Sequence, residues 1–542
     1  MKDVETGEVM AASKLMQGTK VLTVATLTSK LIGFVYVIPF TALVGLQGNA
    51  LYQNGYTPYS ILLTLSTLGV PVAMSKYVSK YHALGDYETA HRLFKSGIWF
   101  MAVTGLLAFL VMFLGAPALA SLSYQPSETD QYTFDNVVYV IRMVSFALLI
   151  IPIMAIVRGY LQGFQQMVPT SVSQVVEQIV RVVFILAASF AVMSIGSGDL
   201  PRAVGFATFG AFVGGIGGMA TLLYFYFKQR PTILARVQSH PAKERQTLPS
   251  MYKELISYAL PLSFVGLAIP FFQAVDLYSI EGALSGTAYA SEAKAFVGAL
   301  TGVAHKIVLI PMALATALSI TLVPTITKAY VNQDNKLLQS YITQTYQVIL
   351  FIGIPAAIGM SVLAKPTYFA LFGSANLELG AETLGFYAPA TVFFSIYAVT
   401  GSILQGMDRQ RNAVLSLVVG LILKLGLTYV FLKWFGPYGA IWTTYIGFGI
   451  GIALNVYFIG RFAKFDYTFI YRRTVLIVIF AAIMGVAVWV FANGLAALFP
   501  ELSRVTTFIV LLVSIGVGLI VYFYLAIRSH LAGKVLGERF KL

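Results

Sequence analysis

The 542-residue chain contains no cysteine. Disulfides, thiol catalysis and cysteine metal sites are therefore excluded. Charge is scarce as well: Asp, Glu, Lys and Arg make up 11% of the residues, against roughly 25% in an ordinary soluble domain. The five histidines form no cluster with metal-ligand spacing, so no metal site and no cofactor is expected. A phosphate-binding loop of the form GxxxxGK[ST] is missing, so no ATPase is legible. Residues 1–19 have neither the short apolar core nor the small-residue cleavage site of a signal peptide, and no cleaved leader is expected there.

Apolar residues fill the chain instead. They make up 58% of it, and the mean hydropathy is +0.79, which marks a polytopic membrane protein. Crossing about 30 Å of hydrocarbon takes about 20 apolar residues in a helix. Fourteen such runs lie at 20–45, 57–79, 96–118, 135–157, 169–194, 204–227, 254–275, 296–326, 339–364, 384–404, 412–432, 438–460, 474–497 and 505–527. Helices are expected because unpaired strand edges cannot face lipid. The expected fold is thus an all-α polytopic membrane protein with fourteen transmembrane helices.

The net charge of +14 raises the question of nucleic acid, but its distribution answers otherwise. With the N-terminus inside, cytoplasmic segments hold twenty-six Lys and Arg and external loops hold five. That bias is the positive-inside signature, and it places both termini in the cytoplasm. The segment 228–253, with Pro231, Pro241 and Pro249, reads as a cytoplasmic linker. It separates an N-terminal lobe, 1–227 (spans one to six), from a C-terminal lobe, 254–460 (spans seven to twelve). Residues 461–542 add two further spans and a cytoplasmic tail.

The lobes resemble each other. SKYHALGDY (79–87) matches TKAYVNQDN (327–335) at an offset of 248, and LQGFQQ (161–166) matches LQGMDR (404–409) at an offset of 243. Matching segments lie six spans apart on one membrane side, which is a parallel repeat of two lobes about a central path. Gly-rich runs such as GAFVGGIGGMA (210–220) read as close helix packing.

Five cations lie within spans: Lys30, Arg142, Arg181, Lys306 and Lys424. Glu177 is the clear acidic residue within a span, while Asp276 and Glu292 lie near external ends. Charges at such depth normally face a bundle interior or a water-filled cavity. Arg142, near the start of its span, can instead snorkel. Lys30 is ten residues into its span, roughly 15 Å deep at about 1.5 Å per residue, and Lys306 and Lys424 are similarly deep. Glu177 and Arg181, at i and i+4, can neutralise each other or act in gating. His305, beside Lys306, is a proton-coupling candidate or a bystander. An excess of cavity cations implies an anionic substrate, and Lys suits phosphate as a point charge. A drug or cation antiporter would instead carry carboxylates to hold its cation.

These residues carry a resemblance that covers nearly the whole chain. The stretches SKLIGFVYVIPF, GVPVAMSKYVSKYHALGDYETA, RGYLQGFQQMVPTSVSQVVEQIVRV and ILQGMDRQRNAV resemble the polysaccharide-exporter branch of the multidrug/oligosaccharidyl-lipid/polysaccharide superfamily. Within it, the chain looks most like the MurJ-type lipid II flippases of Bacillus-like bacteria. The resemblance implies two six-helix lobes around a central cavity, with two extra C-terminal helices forming a groove for a lipid tail. It also implies alternating access, with the chain acting as a non-enzymatic transporter in peptidoglycan synthesis, cell-wall biogenesis and cell shape. The implied substrate is an undecaprenyl diphosphate sugar, lipid II above all. The implied location is the cell membrane, with cell-wall synthesis proteins as candidate partners and no nucleic acid.

Lys30 stands where the family pattern Ser-Arg-x-x-Gly-Phe has a functional arginine, and Lys306 stands at such a position in span eight. Both keep the charge without the guanidinium fork. Tyr36 stands where the family has its next span-one arginine. The substrate-binding candidates are therefore Lys30, Lys306, Lys424, Arg181 and Arg142, with Glu177, Tyr36 and His305 as gating or pairing candidates. The alternatives are another undecaprenyl-linked polysaccharide unit and, from a different class, a drug/cation antiporter.

Overall fold

The computed structural model describes residues 24–26, 28–67, 69–164, 166–239, 247, 249–253, 256, 263–264, 266–498 and 503–536. Regular structure among them is helical. It divides into two compact units, Met1–Val44 with Leu51–Pro126 and Asp130–Pro270, and Gly45–Ala50 with Ser127–Thr129 and Phe271–Leu542.

The first unit is built from α1 (Val24–Val35), α2 (Val37–Thr67), α3 (Val70–Ala83), α4 (Tyr87–Leu114), α5 (Ala116–Ser123), α6 (Phe134–Ser145), α7 (Ala147–Gly163), α8 (Met167–Phe190) and α9 (Leu200–Ser239). The second contains α10 (Ala268–Leu284), α11 (Ala293–Val297), α12 (His305–Val331), α13 (Asn335–Val362), α14 (Ala364–Phe372), α15 (Leu377–Tyr387), α16 (Ala390–Gly406), α17 (Gln410–Phe435), α18 (Gly439–Ala463), α19 (Thr468–Leu498), α20 (Arg504–Arg528) and α21 (Leu531–Leu536). Ten helices among the described residues are long and apolar enough to cross a membrane, or eleven if the bent pair α1 and α2 counts as one span.

Two places differ from the fourteen-run reading, and a third lies partly outside the described residues. Residues 46–56, expected as an external loop, are helical within α2, which breaks at Gly45 (φ 66°). Asn49, Gln53 and Asn54 suit a loop by composition, yet all three are buried. The expected linker 228–253 begins as the end of α9, which runs through Pro231 to Ser239; residues 240–246 and 248 lie outside the described residues. Within the expected span 254–275, residues 254–255, 257–262 and 265 also lie outside them, and α10 begins at Ala268.

Two hairpins of long helices stand out, and small residues explain both. In α17 and α18 the contacts run antiparallel: Thr428 meets Thr443 at 3.2 Å, and a Cβ on Gly420 would lie 2.4 Å from the Gly447 carbonyl oxygen. In α8 and α9, Cβ atoms on Gly210, Gly214 and Gly217 would press on Ile185, Arg181 and Val180 at 2.8, 2.8 and 3.0 Å. Helices in lipid associate by such close backbone approach rather than by a hydrophobic drive. The glycine run 210–220 therefore packs as its composition indicated.

The repeat reappears as geometry inside each unit. At the end of α3, the amides of Gly85 and Asp86 bond to His82 O and Tyr81 O, and those of Gln333 and Asp334 bond to Tyr330 O and Ala329 O after α12. Gly85 and Gln333 both take positive φ, 73° and 55°. The Asp86 and Asp334 carboxylates then cap α4 and α13, accepting from Thr89 N and Leu337 N at 3.0 Å each. Every pair is spaced by 248, and together they form a Schellman turn followed by an N-cap. A Cβ on Gly163 would meet Val78 at 2.5 Å, and one on Gly406 would meet Ile326 at 2.7 Å. The two sequence matches therefore mark one helix–turn–helix scaffold built twice.

Replacing Gly420 with Val should force α17 and α18 apart and cost about 1–3 kcal/mol or more, the usual cost of overpacking. Gly426→Ala, on the same helix with nothing within 4 Å of its Cβ position, should leave thermal unfolding in detergent at or slightly above that of the parent. Equal destabilisation by both variants would contradict this packing.

Candidate functional site

In the first unit the candidate residues gather on α1, α7 and α8. Thr26 donates to Gln174 Oε1 at 3.3 Å, and a Cβ on Gly33 would lie 3.0 Å from Gln178 Nε2. The two contacts advance in the same direction along both helices, so α1 lies parallel to α8. Thr26, Lys30 and Gly33 follow i, i+4, i+7 spacing and share one helical face. This sets Lys30 at the level of Glu177. The Lys30 side chain is exposed, and its ammonium makes no ion pair or hydrogen bond among the described residues.

Glu177 is held from two helices. Arg181 Nη2 donates to its Oε1 at 3.0 Å, and Arg158 Nη2 donates to its Oε2 at 2.9 Å. Arg158 Nη2 also donates to Ser173 Oγ at 2.8 Å, and that hydroxyl donates to Gly218 O at 3.0 Å. The expected i, i+4 pair is therefore one edge of a three-residue cluster that retains a net positive charge. Its side chains are 13–14% exposed. Reading the sequence had placed Arg158 on the cytoplasmic side and missed its role. The usable signal was the polar stripe Ser173, Glu177 and Arg181 at four-residue spacing on α8.

Rings continue from this cluster. Tyr36, Phe40, Tyr52, Tyr56 and Tyr59 form a chain with centroid separations of 6.3, 5.5, 5.5 and 5.6 Å. Arg181 lies within electrostatic reach of Tyr52, Tyr56 and Tyr59. Tyr36 is buried in this chain, so its ring serves packing at the junction of α1 and α2. Arg142 lies apart, half-buried, with its guanidinium 5.2 Å from the Phe113 ring centroid and its Nε donating to Phe113 O at 3.4 Å.

In the second unit Lys306 is half-buried at the start of α12. His305 beside it is buried; its Nδ1 lies 3.2 Å from Tyr387 OH, and its ring stands 5.9 Å from Phe394. Lys424 differs from the expectation of a cavity-facing cation. Its side chain is 0% exposed, and its ammonium donates to Asp276 Oδ1 at 2.6 Å, Thr444 Oγ1 at 2.5 Å and Ala440 O at 3.5 Å. In this conformation it is sealed inside the unit, with its ammonium donating to three acceptors. Asp276 had read as a residue near an external end. Packing of α10 against α17 puts it opposite Lys424.

Comparison with known proteins can now be set beside this geometry. The polysaccharide biosynthesis protein family profile matches residues 15–330, and the MatE profile matches residues 261–430. The chain is 42% identical to the lipid II flippase MurJ of Bacillus subtilis (strain 168), covering 97% of this chain and 98% of that protein. The chain belongs to the MurJ-type flippase family. Its fold is similar to a solved lipid II flippase MurJ in an inward closed conformation, with TM-score 0.66, 15% identity, and 95% and 99% of the two chains covered. It is also similar to an inward-facing multidrug resistance MATE family transporter, with TM-score 0.63, 16% identity, and 81% and 96% covered.

This MurJ-type chain carries one large apolar groove among its described residues. It measures about 430 Å³ and lies between α13, α19 and α20, against Met360, Met484, Val488, Leu511 and Leu519. Tyr522 ties its wall by donating to Phe351 O at 2.8 Å. The lining is almost wholly hydrocarbon.

Removing one partner of a buried ion pair leaves an uncompensated charge, at a cost of about 3–5 kcal/mol. Lys424→Met should therefore lower the thermal midpoint in detergent sharply. Lys424→Met with Asp276→Asn should recover most of the loss. A single variant as stable as the parent would contradict the sealed pair.

Proposed function

We propose that the chain is a flippase for a lipid-linked oligosaccharide diphosphate, lipid II above all, working by alternating access in the cell membrane with both termini cytoplasmic. The single observation that carries this reading is the Lys30 ammonium, unpaired among the described residues and set level with a net-positive arginine cluster. A charge within a span is tolerated where it meets water or a counter-charge, and a diphosphate supplies the counter-charge. The relative of 42% identity is a lipid II flippase, which fits that chemistry.

In this reading Lys30, Lys306 and Arg181 attract the diphosphate, and the isoprenoid tail stays in the apolar groove of α13, α19 and α20. Lys424 and His305 support the scaffold. The fourteen-span count, with two six-helix lobes and two added helices, is the architecture this mechanism calls for. A drug/cation antiporter needs a carboxylate ready to hold a cation. Glu177 and Asp276 are each already paired with basic side chains, which disfavours that class.

Depleting the protein should leave lipid II inaccessible from outside the cell; unchanged export of lipid II would overturn the assignment. Lys30→Ala with Lys306→Ala should abolish complementation at normal expression level. Lys30→Arg should retain it, because the charge is kept and the guanidinium fork is gained.

A further inference from the structure

We infer that Arg158 and Arg181 form an anion subsite whose resting occupant is Glu177, and that an incoming phosphate oxyanion exchanges with that carboxylate. This deepens the reading above and rests on it for the identity of the anion. Several observations of the first unit converge. Each guanidinium spends Nη2 on Glu177, while the neighbouring Nε–H of each is buried without a partner among the described residues. The Nε/Nη2 edge is one that a phosphate can take bidentately, so each arginine presents a half-used fork.

The cluster keeps one positive charge more than Glu177 can balance. It is also not sealed: the three side chains are 13–14% exposed, unlike the repeat-related Lys424 at 0%. Lys30 stands at the same level on α1, so an anion displacing Glu177 would meet a third cation. Helix α9 packs closely behind the cluster. A Cβ on Gly218 would lie 3.1 Å from Glu177 Cβ and 3.5 Å from Arg158 Nη2, and one on Gly214 would lie 2.8 Å from Arg181 Cβ. The glycine stripe therefore seats the α8 backbone that carries Glu177 and Arg181, while the Glu177 carboxylate, on its own rotatable bonds, can leave. Glu177 acts as a gatekeeper: it holds the forks in shape and keeps weak anions out.

The two roles of Glu177, structural and competitive, predict opposite effects on anion binding. Pyrophosphate is the probe, titrated calorimetrically into the purified full-length chain in detergent at low salt. Glu177→Gln should bind it about tenfold more tightly than the parent, the size of one charge-assisted contact. Adding Arg158→Gln to that variant should cancel the gain, and Lys30→Ala should weaken binding in both backgrounds. Glu177→Asp, which keeps the charge but retracts it by one methylene, serves as the second variant should Glu177→Gln not fold, and it should tighten binding about threefold. Unchanged or weaker pyrophosphate binding in a folded Glu177 variant would overturn the subsite. A chain that transports some other anionic lipid would keep this order of affinities while failing the lipid II accessibility assay. A failed exchange with intact lipid II export would overturn the subsite alone.

Discussion

A charge inside a membrane span costs several kilocalories per mole unless something compensates it, and this cost organises the interior of the chain. Three solutions occur within one molecule. Lys424 is sealed against Asp276, Thr444 and Ala440 O. Arg158 and Arg181 share Glu177 and remain one charge in excess. Lys30 has no protein counter-charge among the described residues. The series runs from closed and neutral to open and positive, and it grades the sites from scaffold to ligand. An anionic headgroup is the compensation proposed for the last two.

Glycine makes the graded series possible. The hairpins α8/α9 and α17/α18 bring backbones so close that a methyl group would collide with a carbonyl or a side chain. Close approach excludes lipid and water from the seam, so a polar side chain there must find its partner inside the protein. In the second hairpin the partner comes from α10 as a carboxylate, and the lysine is neutralised. In the first, α7 brings a second arginine to the carboxylate already on α8. Arg181 and Lys424 correspond under the repeat, yet their chemistry diverges because the third helix delivers the opposite charge.

The repeat also separates scaffold from site. Both copies keep the Schellman turn, the aspartate cap and the crossing glycine, down to a positive φ at Gly85 and at Gln333. A glutamine in that conformation is strained by about 1 kcal/mol or more relative to glycine, and it is tolerated because the turn around it is fully hydrogen-bonded. The duplicated parts are those that set helix direction. The charged residues between them are free to differ, and so one lobe scaffold can hold an ion pair and the other an open cluster.

The all-helical fold class, the membrane setting and the repeat were legible in the linear order of residues, because hydropathy and turn signals act over a few neighbours. The α2 segment 46–56 misleads for the same reason: Asn49, Gln53 and Asn54 look polar locally, and only burial by other elements reveals them as helix interior. Arg158 was hidden because it follows a span end in sequence while reaching back to Glu177 in space. By itself, then, the sequence determined which charges fall within apolar runs. The tertiary structure alone decided which were neutralised, since partners such as Asp276 and Lys424, 148 residues apart, are matched by cross-helix distance, and electrostatic compensation depends on distance in space and not on separation along the chain.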